Sequence, residues 1–276
     1  MKLSLILGGG GAKGSYQVGA LKALNEYNLL EDLNIVAGTS IGAFNACLVM
    51  EKLSYEEMFN IWKQIDNSIM YNSDTRYKED KLGIFNQTNM YDILVAMQNP
   101  KKLLKSNING YVVAAKLEDT SFLSQIKKDK MEETTFHLNK LKDPHKAVLA
   151  SSSIPIVFGP TLIDDNYYVD GGLLNNLPVN IAIENNSNVI IVINLSPVYD
   201  LDKYYNNNII INLSPSEKLS KTFLGSLNFD EQTMNERIEY GYNHTKEIIE
   251  KLIKEEVIIN NKFNINKIGI YNYEFE

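Results

Sequence analysis

The first half of the chain alternates between short unbroken apolar runs and stretches in which apolar residues recur at helical spacing, the signatures of buried strands and of one-sided helices. Leu3-Ser4-Leu5-Ile6-Leu7 reads as a strand, closed by Gly8-Gly9-Gly10-Gly11-Ala12-Lys13-Gly14. From Tyr16, the positions Val18, Leu21, Leu24 and Tyr27 keep to one apolar helical face. Leu33 to Ala37 is the next apolar run, with a strand over 34–37, and Ala43 to Met50 forms a second helix. A strand-helix-strand-helix opening predicts an α/β fold with a mostly parallel central sheet and helices on both faces.

Ser54 and Glu57 form a capping box, and Met58, Phe59, Ile61, Trp62 and Ile65 follow at helical spacing, with Trp62 in the core. Residues 66–82 are polar and tyrosine-bearing, with no period. Met90 to Met97 is helical, and Pro100 ends it. The stretch 52–108 reads as an excursion over the functional face of the sheet, as pocket wall, lid or simple packing. Tyr111 to Ala115 is a central strand and Thr134 to Leu138 a shorter one. Pro144 opens a helix that runs to Ser153, before Pro155 forbids continuation. Leu162 to Asp164 and Tyr167 to Val169, joined through Asp165-Asn166, resemble a tight hairpin that runs into Asp170-Gly171-Gly172. Pro178 starts another helix, and 188–193 and 209–212 are apolar strands. Asp230 to Leu252 is a long one-faced helix, and the asparagine-rich tail from Val257 takes no assignment.

Glycine-centred segments sit at these strand ends. Gly38-Thr39-Ser40-Ile41-Gly42 is a G-x-S-x-G turn between strand and helix. A serine at such a tip presents its hydroxyl, Gly38 and Gly42 let strand and helix approach, and the helix N-terminus favours negative charge beside it. Ser40 is therefore a candidate nucleophile. The loop before it contains G-x-G-x-x-G at Gly9, Gly11 and Gly14, but a dinucleotide site needs an acid at the end of the second strand, where this chain has the Ser40 turn. Glu31 and Asp32 precede that strand, and Lys13 comes before Gly14 where a P-loop wants Gly-Lys-Ser/Thr. An oxyanion hole fits better, since unhindered main-chain N–H groups there would point at one spot beside Ser40. For a base the chain offers His137, His145 and His244, or Asp170. A Ser40, Asp170, His244 triad would follow α/β-hydrolase order, yet His244 lies inside the long helix. Asp170, at a strand end before Gly171 and Gly172, is the stronger partner, against the plain alternative of a D-G turn.

Composition narrows the field. At 276 residues and 44% hydrophobic content the chain can bury one core, and a single domain over 1–276 is expected. A net charge of -7 argues against nucleic acid as a partner. Lys101-Lys102-Leu103-Leu104-Lys105 is a candidate local basic patch for an anionic partner or membrane, although such a run is more often a solvated helix face or loop. The single cysteine, Cys47, excludes a disulfide framework or a multi-thiolate metal site and reads as a small buried apolar residue. The run Leu3 to Leu7, five residues before the glycines, is too short for a secretory segment, and no apolar run reaches membrane-spanning length, so a cytoplasmic protein is expected.

Taken together, Gly9 to Gly14, the Ser40 turn and Asp170-Gly171-Gly172 resemble, in order, the three signatures of the patatin-like phospholipase family. Similarity extends to Ala150-Ser151-Ser152-Ser153-Ile154-Pro155 with Phe158 and Pro160, to Asn176-Leu177-Pro178 and to Gly241-Tyr242. It covers about 3–253, leaves the tail 255–276 unassigned, and departs at Gly8, where some members carry an acid. The resemblance implies a three-layer α/β/α fold and a Ser-Asp dyad. Ser40 would be the nucleophile, Asp170 the base, and the N–H groups of Gly10 and Gly11, with Gly9, the oxyanion hole, supported by Gly14, Gly38, Gly42, Gly171 and Gly172. It implies a serine lipid acyl hydrolase of phospholipase A or lysophospholipase type, working through an acyl-enzyme with no metal or cofactor. Its substrate would be a lipid ester, with peripheral membrane contact left open. A catalytically silent lipid-binding module, the triad esterase and a nucleotide-binding protein remain as alternatives.

Overall fold

The computed structural model describes residues 1–65, 67, 87–196, 200–216, 218–220 and 222–273, apart from the side chains of 87–90, 223 and 224. Most of the aperiodic stretch 66–82 lies outside them. The first unit is β1 (Leu3–Leu7), a 3-10 turn at Gly11–Gly14 and α1 (Ser15–Glu26), followed by β2 (Leu33–Thr39) and α2 (Ile41–Met50). Next come α3 (Tyr55–Gln64), α4 (Gln87–Met97), α5 (Pro100–Lys105), β3 (Asn109–Leu117), α6 (Phe122–Ile126), β4 (Met131–His137) and α7 (Pro144–Ser151). The hairpin β5 (Thr161–Ile163) and β6 (Asn166–Asp170) leads to α8 (Val179–Glu184), β7 (Val189–Ile193) and β8 (Ile209–Asn212). The chain closes with α9 (Phe223–Ser226), α10 (Glu231–Lys254), β9 (Ile258–Ile259), β10 (Lys262–Phe263) and β11 (Gly269–Tyr271).

One sheet runs in the order β11-β8-β7-β1-β2-β3-β6-β5, with β4 also on β3. From β11 to β3 all neighbours are parallel. Side chains alternate across it, as the strand repeat demands. Leu3, Leu5, Leu7, Val36, Val112 and Ile191 turn towards α1, α2 and α10, and Ile6, Ile35, Ala37, Val113, Ile190 and Val192 towards α8. These are the layers expected of a parallel sheet covered on both faces.

The strand that positions the site is β3. Along one edge it pairs in parallel with β2 as far as Thr39 opposite Val113. From the next residue it pairs antiparallel with β6, Asp170 lying opposite Ala114. Because β4 occupies the other edge from Tyr111 to Leu117, β2 and β6 share a single edge and point their ends at each other.

Several boundaries move from their sequence positions. The hairpin turns at Asp164-Asp165, not Asp165-Asn166, because both aspartates hold the left-handed region, at φ 45° and 64°. The α7 helix stops at Ser151, two residues early (151 against 153). Pro100 does end α4, and it also opens α5 under an Asn99 cap, with Leu103 buried beneath the solvated lysines. Trp62 and Cys47 are fully buried, as expected. The unassigned tail supplies the β9–β10 hairpin and β11, an edge strand on β8. Among the described residues no helix is long and apolar enough to cross a membrane.

Candidate active site

Ser40 caps α2 at φ 56° and ψ -126°, a conformation most L-residues avoid. The turn can be this sharp because a Cβ on Gly42 would run into the carbonyls of Leu7 and Gly8, and one on Gly38 into that of Gly42. Glycine there lets β1, β2 and α2 touch through their main chains.

Asp170 ends β6 opposite the residue next to Thr39's partner, so the β3 edge brings the two termini together. The Ser40 side chain lies close enough to the Asp170 carboxyl to favour its ionised form. The Gly172 N–H donates to Asp170 Oδ1 at 2.7 Å. Burial raises the carboxyl from its ordinary 3.8 to about 6, against the Ser40 side chain and the Gly172 hydrogen bond, which favour the ionised form. Ser40 and Asp170 are both buried, each at 7% exposure.

The glycine loop lies alongside. A Cβ on Gly9 would stand 3.1 Å from Ser40 Cβ. Its N–H, however, donates to Asn176 O at 3.2 Å, while Asn176 Nδ2 donates back to Gly9 O at 3.3 Å. The Gly9 amide is thus occupied. The Gly10 and Gly11 N–H groups find no acceptor among the described residues. Gly11 holds the left-handed φ of 58° under the Ser226 carbonyl. Lys13 reaches over the loop to Leu195 O, 3.2 Å away, and its partial burial and the nearby Arg237 lower its pKa.

Ser40 and Gly11 open on an apolar cavity of about 60 Å³. Its walls include Phe44, Ile65, Ile93, Leu94, Phe158 and Phe229. Ile65, Ile93 and Leu94 belong to the 52–108 excursion, which therefore supplies pocket wall. Among the described residues no group of three or more His, Cys, Asp or Glu is arranged to hold a metal.

The histidines lie elsewhere. His244 Nδ1 is 2.6 Å from Tyr16 Oη, and Tyr16 donates to Leu213 O at 2.9 Å, so the imidazole N–H donates to the tyrosine oxygen. Burial, and then Lys251, lowers its pKa to about 4. His137 stacks on Tyr111 with ring centroids 4.5 Å apart, and His145 meets the edge of Tyr91 at 6.4 Å. No histidine is among the groups acting on Asp170.

The family model for patatin-like phospholipases matches residues 5–183. The chain belongs to this family. "Probable lipid hydrolase 463L" of Invertebrate iridescent virus 6 is 28% identical over 186 residues, 66% of this chain and 63% of that protein. "Patatin-like phospholipase domain-containing protein 7" of Rattus norvegicus is 30% identical over 210 residues, 70% of this chain but only 13% of that protein. The present chain thus spans under two thirds of either relative. VipD from Legionella pneumophila shares the fold, with a TM-score of 0.56 at 14% identity over 91% of this chain and 66% of that one.

Within this patatin-like domain, Asn176 is visible in the sequence only through the family similarity of Asn176-Leu177-Pro178. Its place, tying the glycine loop to the turn after Asp170, has no local sequence signal, because an asparagine after a D-G-G turn reads as ordinary loop.

Proposed function

We propose that this patatin-like chain hydrolyses lipid esters by acyl transfer, with Ser40 as nucleophile and Asp170 as base. What supports this most is a Ser40 side chain that lies on the wall of an apolar cavity and acts directly on the buried Asp170 carboxylate. The ester's acyl chain lies along the Phe44, Phe158 and Phe229 walls. Ser40 Oγ attacks the carbonyl carbon while Asp170 takes the hydroxyl proton, and the negative charge on the carbonyl oxygen falls to the free Gly10 and Gly11 N–H groups. Asp170 returns the proton to the departing alcohol oxygen as the ester C–O bond breaks. Water, deprotonated in turn by Asp170, then attacks the acyl-enzyme, and the proton returns to Ser40 with release of the fatty acid. Gly9 is left out of the oxyanion group because its N–H already has an acceptor. The carboxyl value of about 6 keeps Asp170 ionised, hence basic, at neutral pH.

Phospholipids and lysophospholipids, met at a membrane or micelle surface, are the substrates proposed. A panel of these and of acylglycerols, assayed with wild-type protein and Ser40→Ala, tests the reading. Fatty acid release should disappear in Ser40→Ala, and a fluorophosphonate should modify Ser40 alone. Wild-type protein that binds lipid vesicles yet releases no fatty acid and takes no label would make the chain a silent binding module. The triad esterase loses support because His244 is engaged with Tyr16.

A further inference from the structure

Where β2 gives way to β6 on the edge of β3, the main-chain ladder is broken between Val113 and Ala114. A side chain occupies the break. The Ser40 N–H donates to Ser151 Oγ at 2.9 Å, and the Ser151 hydroxyl donates to Val113 O at 2.6 Å. Ser151 is the last residue of α7 and is fully buried. Just beyond it the Ser153 carbonyl accepts the Asp170 N–H at 2.9 Å. One short segment thus holds the main chain at both Ser40 and Asp170.

We infer that Ser151 is a positioning residue for acyl transfer, its hydroxyl fixing the Ser40 peptide so that Oγ stays aimed at Asp170. The inference rests on the Ser40–Asp170 reading above. Ser40 is held at φ 56°, and a strained peptide relaxes unless its neighbours over-determine it. Its buried N–H also needs an acceptor. Past Thr39 no β6 carbonyl takes that place, because β6 runs in from the opposite direction. A hydroxyl both accepts and donates, so one oxygen satisfies the Ser40 N–H and the Val113 carbonyl together. Without it both groups are orphaned, and the Ser40 peptide is free to turn towards an ordinary conformation, which swings Oγ off the carboxylate. Ser151 touches no reacting atom and is no part of the cavity wall. Its loss therefore falls on kcat and leaves KM in place. A misplacement of the order of 1 Å costs about 10²-fold.

The test compares Ser151→Ala, Ser151→Thr, Ser4→Ala and Ser40→Ala for kcat, KM, fluorophosphonate labelling rate and thermal unfolding. Ser4 serves as control because its buried hydroxyl bonds Ser187 Oγ at 2.6 Å from β1, at the opposite end of the sheet. Ser151→Ala should lose about 10- to 100-fold in kcat and in labelling rate, with KM within about twofold. Ser151→Thr restores the hydroxyl and should recover most of the rate. Ser4→Ala should lower stability alone. A folded Ser151→Ala that is labelled at the wild-type rate overturns the inference, as does a Thr variant as slow as Ala, which would assign the loss to packing. If Ser151→Ala does not fold, Ser151→Cys keeps the volume and weakens both bonds, and a wild-type labelling rate there overturns it equally. Activity surviving in Ser40→Ala would instead sink the dyad reading beneath it.

Discussion

At the scale of single residues, Asp170 trades stability for reactivity. Its carboxyl is raised from 3.8 to about 6, so the native state holds the proton more tightly than the unfolded chain. The sign follows: stability from this group is fullest below 3.8 and is lost as pH rises through about 6. Above that the buried charge costs roughly 3 kcal/mol. Asp170→Asn removes the charge and keeps an acceptor for the Gly172 N–H. It should lower turnover by about 10²–10⁴-fold, yet unfold in urea later than wild type at pH 8, with the gap closing towards pH 4. Equal stability at pH 8 would mean the carboxylate is better solvated than its burial implies. The acidic limb of kcat/KM should fall near pH 6 in wild type, while His137→Ala, His145→Ala and His244→Ala, where folded, should keep most of their activity. Gly10→Ala probes the oxyanion loop. The added Cβ meets the Leu195 side chain and Lys13 Cε at 3.0 Å, atoms able to shift, so the variant should fold. Its turnover should drop by about 10²-fold through the displaced N–H, and near-wild-type turnover would give the loop another task.

Among the elements, the pair that orients the glycine loop is α1 against α10. A Cβ on Gly19 would enter the Ile238 carbonyl, and one on Gly241 the Tyr16 carbonyl, so the two helices cross at main-chain distance through a reciprocal pair of glycines. Because α1 leaves directly from the Gly11–Gly14 turn, that crossing also sets where the turn lies. Gly241→Ala should lower stability by roughly 1–3 kcal/mol, even though alanine favours an isolated helix by up to about 1 kcal/mol. The urea midpoint reads this directly, and an unchanged or higher midpoint would mean the helices do not pack this closely. By contrast, the N-terminus of α3 was legible from Ser54 and Glu57 alone, whose reciprocal bonds are 3.2 and 2.7 Å. A cap is made by residues three apart, and sequence spacing suffices to see it.

For the molecule as a whole, the tail decides how one side of the sheet ends. β11 pairs along β8, Asn212 Nδ2 bonds Asn272 Oδ1 at 2.8 Å, and β8 is buried as a result. Removing residues from 265 onward should bare the Ile209–Asn212 edge, lower the unfolding temperature and promote association through the open strand. Turnover per fluorophosphonate-titrated site should not change, because β7 and β1 separate β8 from β2. A loss of turnover would tie the tail to the site. The strand order itself marks the division between sequence and fold. The sequence by itself determined the alternating strands and helices, the sharp turn at Ser40, the bare loop before it and the Asp170-Gly171-Gly172 strand end, since each is a local backbone demand met by neighbouring residues. Tertiary structure alone decided that β2 and β6 meet on one edge of β3, that Asn176 takes the Gly9 amide, that Ser151 fills the broken ladder, and that Ile65, Ile93 and Phe229 wall one cavity. Those partners lie far apart in the chain, and a hydrogen bond or contact across such distances leaves no period or spacing in the sequence; it exists only once the sheet has closed.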